Sequence, residues 1–498
     1  MTPYSACGKF SLKTSFDVLI IGAGISGINL AYHIQTKAPE PAPSSYTILE
    51  SRSNLGGTWD FFKYPGLRSD SDMFTFGLPW YPWRKNKTIA SGAEIRSYLE
   101  AAATHAGIHN NIKYQHRVLS ARWSSQKARW TLDVEVDGVP GHIYEARFLI
   151  LGTGYYDYDE PLATQIPGLD NFSGTIVHPQ FWPENLDYVD KDVVIIGSGA
   201  TAVTLLPNLT EKAKHTTMLQ RSPTYVSPLP LVDKLAQLER AILPARLAGR
   251  VTRLRRAIRF FGFYWFCKFF PNTAKRLLRN MCIKLLPPNI PVDPHFTPRY
   301  DPMDQRLCAC PDGDFFASLR SGKANIVTDT IKKVTEDEIV LDSGAKLQPD
   351  IIVTATGLKL RIGGGIQFFV DGEPINIVDG FAWKGFMLQN VPNLAFVSGY
   401  YNAAWTLGAE VTGVAVVRLL RQMKSRGFSC VVPRLGRSDQ NMEPQSFFKI
   451  SSTYVKDAIK YTPKGGTGQW AHRWNYFFDL AKASWGIISL VWSTFRIH

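Results

Sequence analysis

Two glycine-spaced clusters are the parts of this 498-residue chain best equipped for chemistry. The first, Gly22, Gly24, Ser26 and Gly27, follows the apolar run 16–22 and opens the helix-like stretch 27–35. In that setting backbone N–H groups and a helix N-terminus can receive a pyrophosphate, and glycines are needed because a Cβ would block the approach. Glu50 closes the next strand-like run, 46–50, where a carboxylate can accept hydrogen bonds from ribose hydroxyls. The same carboxylate would repel a 2′-phosphate, so this turn is expected to take FAD or NAD and not NADP. The second cluster, Gly197, Gly199, Thr201 and Ala202, repeats the design with alanine at the third position, which the fingerprint allows. The run after it, 216–220, ends in Arg221 and Ser222 with no acid nearby. A guanidinium there suits a doubly charged 2′-phosphate, so this site is expected to take NADPH. The plain alternatives are a structural turn beside a surface glutamate and an ordinary surface arginine. Two nucleotide sites leave disulfide reduction, simple flavin oxidation or oxygenation. No cysteine pair follows the first turn, which speaks against the first of these.

The stretch 171–183 carries Phe172, Gly174, His178, Trp182 and Pro183 in the order FxGxxxHxxxWP, just before the second glycine turn. Upstream, Gly56, Gly57, Trp59, Tyr64, Pro65, Gly66 and Asp70 fit a second long pattern, (A/G)GxWxxxx(F/Y)P(G/M)xxxD. With both patterns the chain resembles the type I Baeyer–Villiger monooxygenases. The stretches YPGLRSDSDM at 64–73, DQRLCACPDG at 304–313 and NAAWT at 402–406 resemble the ethionamide-activating subgroup. The resemblance covers roughly residues 16–420. It implies FAD and NADPH as cofactors and adds Gly57, Thr58, Trp59, Asp70 and Asn402 to the cofactor contacts. It further implies that one oxygen atom from O₂ is inserted next to a ketone carbonyl, through a flavin peroxide, to give an ester or lactone. Negative charge beside the flavin then needs a fixed cation sheltered from water. Arg306 stands where the family places its catalytic arginine, with Asp70 as the expected partner that orients it. Gln305 replaces the lysine that many members carry before this arginine, which weakens the NADPH preference resting on Arg221. The fingerprint residues are expected to couple domain motion to catalysis while serving as a packed linker. Heteroatom relatives usually end the pattern in another aromatic, so Trp182 tilts the reading toward ketones, with an S- or N-oxygenating flavin monooxygenase as the alternative.

These residues need elements to carry them. β-Branched runs at 16–22, 192–197 and 350–357, each ending in a glycine turn, read as buried parallel strands, and 147–152 as a further one. The expected fold is α/β, with two nested Rossmann-like dinucleotide-binding domains. Residues 1–165 and 346–430 form the FAD domain. Residues 166–345 form the NADPH domain, with a helical insertion at about 229–300 set on it. Residues 431–498 are expected to pack onto the body through Trp470, Trp474, Phe477, Phe478, Trp485 and Trp492. Six cysteines without a CxxC pair argue against a disulfide framework and a zinc site, so no metal is expected and a reducing, cytoplasmic setting fits best. The net charge of +14 is concentrated: residues 231–285 hold 13 Lys/Arg against two acids. A nucleic-acid role would want a stacking platform or recognised fold, and neither is found. Two readings of 231–285 stay open, peripheral contact with a membrane surface and a solvated basic face over a buried aromatic one. Trp80, Tyr81, Trp83, Tyr400, Tyr401 and Trp405 hint at a bulky or aromatic ketone, though such residues serve cores equally well.

Overall fold

The apolar run TSFDVLII forms the strand Thr14–Ile21, whose second half is buried on both faces, as a central parallel strand requires. The computed structural model describes residues 14–38, 45–305, 307–400, 403–447 and 458–486. Arg306, Tyr401, Asn402 and Trp492, singled out above, lie outside the described residues. Thr14–Ile21 pairs in parallel with Tyr46–Leu49 on one side and with the long strand Val139–Leu151 on the other. The helix Ile25–Lys37 covers the sheet, and Ile20, Ile28, Leu30, Ile34, Ile48 and Ile150 meet there with no exposure. Burial of each stabilises the fold by roughly 1.5–3 kcal/mol, so packing rather than the turn's own hydrogen bonds holds the glycine turn in place. Antiparallel strands His116–Ser124 and Arg129–Val136 extend this sheet beyond Val139–Leu151, and Gln367–Val370 and Glu373–Ile375 finish it.

A second, wholly parallel sheet runs in the order Ala324–Thr328, His215–Gln220, Asp192–Ile196, Ile351–Thr354, Thr175–Val177. The helix Ala200–Leu209 follows Asp192–Ile196 as Ile25–Lys37 follows Thr14–Ile21. This order moves one expected boundary. The chain is expected to rejoin the first domain at 346, yet Ile351–Thr354 lies inside the second sheet, between Asp192–Ile196 and Thr175–Val177, and pairing with the first sheet resumes only at Gln367–Val370. Periodicity identifies a buried strand but is silent about which sheet it enters.

The helical insertion consists of Lys234–Ile242, Ala245–Phe269 and Pro271–Leu285. It bridges both halves, where an excursion on the second alone was expected. Ala236 and Phe261 belong to the core around the first sheet, while Cys282 belongs to that of the second. Arg253 anchors the long helix, donating to the carbonyls of Thr75 at 2.7 Å and Gly77 at 2.6 Å and to Glu410 Oε2 at 3.1 Å. Glu410 also accepts from the Tyr476 hydroxyl at 2.9 Å, which ties in the helix Tyr476–Trp485. The C-terminal segment is only partly packed. Trp470 is buried, but Trp474, Phe478 and Trp485 stand exposed, contrary to the expectation for all of them.

Candidate active site

A cavity of about 610 Å³ opens at the C-terminal ends of the first sheet's parallel strands, the place where α/β folds bind ligands. Its floor is glycine. Gly22 has φ +100°, and a Cβ there would lie 2.8 Å from the Gly152 carbonyl oxygen. Gly24 faces Gly57, whose φ is +60°, and a Cβ on Gly24 would sit 3.4 Å from the Gly57 Cα. Two backbones therefore leave a side-chain-free cradle where a pyrophosphate can approach. Glu50 is buried, with one carboxylate oxygen accepting from the Ala23 N–H at 2.7 Å and the other from the Arg52 N–H at 3.1 Å. Those bonds hold the carboxylate at the cavity wall as an acceptor for ribose hydroxyls. The cradle, the acid and the cavity fit the adenine-dinucleotide half of FAD.

Other predicted residues fall on the same wall. Thr58 Oγ1 and the Tyr158 hydroxyl share a hydrogen bond of 2.9 Å, and Trp59 packs edge-on against Phe76. Ser26 is buried and accepts from the Trp405 indole at 2.9 Å, so its side chain positions Trp405. Trp405 in turn stacks on Tyr155, with ring centroids 4.7 Å apart. Of the aromatic set expected to shape a substrate pocket, Tyr400 and Trp405 line the cavity. Trp80 instead stacks on Tyr32 and Trp83 is buried against Tyr98, so these serve the core. Tyr400 donates to Asp479 at 2.9 Å, and burial pushes its phenol well above the usual range.

The helix that follows the second glycine turn reaches this cavity as well, for Ala200, Thr201 and Thr204 near its N-terminus line it. Gly197 has φ +139° and a Cβ on it would overlap the Ala355 carbonyl, while Gly199 faces open space. Ala202 is buried in the second core. Arg221 and Ser222 are exposed just beyond the strand His215–Gln220, and Ser198 Oγ donates to the Ser222 carbonyl at 2.9 Å, which joins that strand end to the turn. Asp70 lines the cavity from the first half, accepting from Ser71 Oγ at 3.2 Å.

Sequence reasoning assigned no individual role to several residues at this junction. Arg68 lines the cavity and forms a two-pronged ion pair with Asp314, which starts the helix Asp314–Arg320. Tyr64, from the first half, packs against the second core, and enclosure pushes its phenol up to about 12. Arg52 lies over the rings of Tyr158 and Phe61, at 5.0 and 5.3 Å. Arg52, Tyr64 and Arg68 sit inside or beside stretches already singled out, so their charge and spacing were the available clue.

The fingerprint residues form a packed joint beside the cavity. Phe172 is buried with Val194 and Ile352, and a Cβ on Gly174 would lie 2.6 Å from both the Phe172 ring and the Asp350 carbonyl. His178 caps the short turn Pro179–Phe181, its Nδ1 accepting from the Gln180 N–H at 3.2 Å. Its Nε2 is buried without a hydrogen-bond partner, and burial lowers the imidazole pKa. Trp182 enters the second core, and Pro183 begins the next turn. The buried Gln180 donates to the Asp157 carbonyl at 2.7 Å, and the carboxylate of Asp157, itself buried, pairs with Lys359 at 3.2 Å. The outgoing crossing through Asp157, the return through Lys359 and the fingerprint turn at Gln180 are thereby fastened to one another.

Comparison with known proteins agrees with this geometry. Residues 19–228 match the family model described as pyridine nucleotide-disulphide oxidoreductase. The described cysteines are nevertheless all free, buried thiols, so the match reflects the nucleotide architecture and not a redox disulfide. A crystal structure of OTEMO in complex with FAD and NADP superposes with a TM-score of 0.71 at 18% identity, covering 94% of this chain and 97% of that one. A caprolactone-bound cyclohexanone monooxygenase superposes with a TM-score of 0.67 at 19% identity, covering 84% of this chain and 90% of that one. The FAD-containing monooxygenase EthA of Mycolicibacterium smegmatis is 46% identical over 467 residues, 93% of this chain and 94% of its own. With near-complete coverage at that identity, and with a side-chain-free glycine cradle in place, the chain belongs to the FAD-containing monooxygenases.

Proposed function

We propose that this protein is a Baeyer–Villiger monooxygenase that consumes NADPH and O₂ and inserts one oxygen atom next to a ketone carbonyl, giving an ester or lactone. The observation that carries the reading is a single cavity lined both by the first glycine turn and by the start of the helix that follows the second, with Tyr64, Arg68 and Asp70 in the same lining. The fingerprint ending in Trp182 and Pro183 favours a ketone over a heteroatom.

FAD, once reduced by NADPH, supplies the oxygen atom drawn from O₂. The chain's own groups bind, orient and shield. The first sheet, from Thr14 to Leu151, and the return after Thr354 would hold FAD: Gly22, Gly24, Gly27 and Gly57 would admit its phosphates to the backbone, and Glu50 would take the ribose. The second sheet holds NADPH, with the N-terminus of Ala200–Leu209 toward the pyrophosphate and Arg221 toward the 2′-phosphate. Asp70 orients the guanidinium of Arg306, which keeps its charge at any working pH and stabilises negative charge on the reacting oxygen. Arg68 is held by Asp314 and so stays turned to the junction without becoming a second mobile cation there. Trp405 and Tyr155 exclude water from one wall.

The test is product identity. The purified yellow protein is given NADPH with a ketone, a sulfide and an amine, and mass analysis follows the gain of one oxygen. An ester or lactone supports the proposal; sulfoxide or N-oxide as the sole product replaces it with the heteroatom reading. Arg306→Ala should keep FAD and its reduction by NADPH yet form no product, and retained product formation would remove the arginine's assigned role.

A further inference from the structure

Large apolar side chains that stand in solvent are unevenly spread over this protein. Of the twenty among the described residues, eleven lie between Val232 and Ile283 and four between Trp474 and Trp485. On the helix Ala245–Phe269, Leu247, Leu254, Ile258, Trp265 and Phe269 recur at steps of seven, four, seven and four. At 3.6 residues per turn those steps return to one face. Ala248, Thr252, Arg256 and Cys267, on the other side, are buried against the body. The stripe is open to solvent, with Leu254 52%, Ile258 56% and Phe269 68% exposed. It continues onto a second element, since Trp265 stacks on Phe269 at 5.3 Å and meets Trp474 edge-on at 6.0 Å, and Trp474 meets Phe478. Trp485, 81% exposed, ends that element.

The charges sort into two groups. Arg253, Arg255, Arg256, Lys268, Lys275 and Arg279 are paired with acids of the protein itself. Arg246, Arg250 and Arg259 are exposed, flank the stripe and have no ion pair among the described residues. The helix contains no acid. A second copy seated on the stripe would set arginine rows against arginine rows, which costs rather than stabilises. A nucleic acid would satisfy the arginines but leave the apolar stripe in water. The face matches an apolar layer bordered by anions. No helix of the described residues is long and apolar enough to cross a membrane, so the match is to a surface and not to a span.

We propose that this face docks the protein on a bilayer rich in anionic lipid, the stripe Leu247–Leu254–Ile258–Trp265–Phe269 at the headgroup–acyl boundary and Arg246, Arg250 and Arg259 at the phosphates. The Trp474 and Trp485 rings suit the same boundary, where one end of an indole is apolar and the other wet. Docking sets the orientation of the cavity as well, because Arg253 of this helix clamps residues 75–77 and Glu410, and Phe76 lines the cavity. The proposal stands apart from the reaction assigned above.

It is tested by sedimenting the full-length holoprotein with vesicles of phosphatidylcholine alone and of phosphatidylcholine mixed with phosphatidylglycerol. The wild type should sediment with the mixed vesicles at low salt and at least about tenfold less at high salt or with phosphatidylcholine alone. The triple variant Leu254→Ser, Ile258→Ser, Phe269→Ser should lose about tenfold or more, and Arg246→Gln, Arg250→Gln, Arg259→Gln roughly fivefold for each cation removed. Retained flavin absorbance in both variants reports an intact fold. Wild type left in the supernatant, or variants that partition as the wild type does, would overturn the proposal. So would a dimer seen by light scattering that the serine variant dissolves while vesicles capture nothing, an outcome that assigns the stripe to a second copy.

Discussion

The two glycine turns share one design and differ in how tightly the protein closes around them. In both, the first glycine has positive φ and lies too close to a neighbouring carbonyl for any side chain, Gly152 for Gly22 and Ala355 for Gly197. At the third position they part. A Cβ on Gly27 would overlap the Gly22 carbonyl, whereas Ala202 occupies the matching place in the second turn and is buried without conflict. The acceptor beyond the first turn, Glu50, is buried and fixed by backbone N–H groups, while Arg221, beyond the second, stands in solvent. A rigid, closed turn suits a cofactor that stays, and a more open one beside an exposed arginine suits a cosubstrate that leaves every cycle.

The sharpest way to break this comparison is at the third position. Gly27→Ala should abolish flavin retention, read from the absorbance of the purified protein, because backbone atoms have nowhere to move. The matching Ala202→Gly should keep its flavin and lose only about 1 kcal/mol of stability in a denaturant titration. Equal behaviour of the two would mean that the turns are not differently closed. A smaller effect is expected at the acceptors. Glu50→Gln removes a charge-assisted partner worth about 1.5–3 kcal/mol and should weaken FAD retention some tenfold or more, measured by apoprotein reconstitution. Arg221→Ala should leave FAD untouched and raise the KM for NADPH by a similar factor with little change for NADH.

A separate effect, on stability and not on binding, lies in the two helices that follow the turns. Ile25–Lys37 carries His33, packed beneath Gly413 of Trp405–Ser425, with neither ring nitrogen hydrogen-bonded. Burial, helped by the charge of Lys37, lowers its pKa to about 3 from an ordinary 6.5. The unfolded chain therefore binds a proton between those values that the folded one refuses, and stability falls as pH drops from about 6.5 toward 3. The slope from this one group is at most about 1.4 kcal/mol per pH unit. Ala200–Leu209 holds no titratable residue. Urea titrations at pH 7 and pH 5 should show His33→Leu losing less stability on acidification than the wild type, and parallel losses would remove the histidine from the account.

Much of the scaffold is legible in the chain because its cues are local. A β-branched run followed by glycines implies a buried strand and a tight turn wherever it occurs, and Thr14–Ile21 and Asp192–Ile196 follow that rule. The junction was not legible. Arg68 meets Asp314 across 246 positions and Trp405 meets Ser26 across 379, separations over which no periodicity reports. The basic segment misled in a similar way. Its 13 cations read as one block, but five of them pair with acids contributed from outside the segment, and the exposed stripe on the long helix is apolar.

Residue identity by itself determined that this protein has two tight glycine turns after buried strands, one followed by an acid and one by an arginine, since a missing Cβ and a side-chain charge act within a few ångströms of their own backbone. Which sheet took Ile351–Thr354, which arginines kept their charge exposed to solvent, and which aromatics reached the cavity were decided only in the tertiary structure. Those outcomes depend on partners distant in the chain, and the free energy of burying or pairing a group exists only once the partner has arrived.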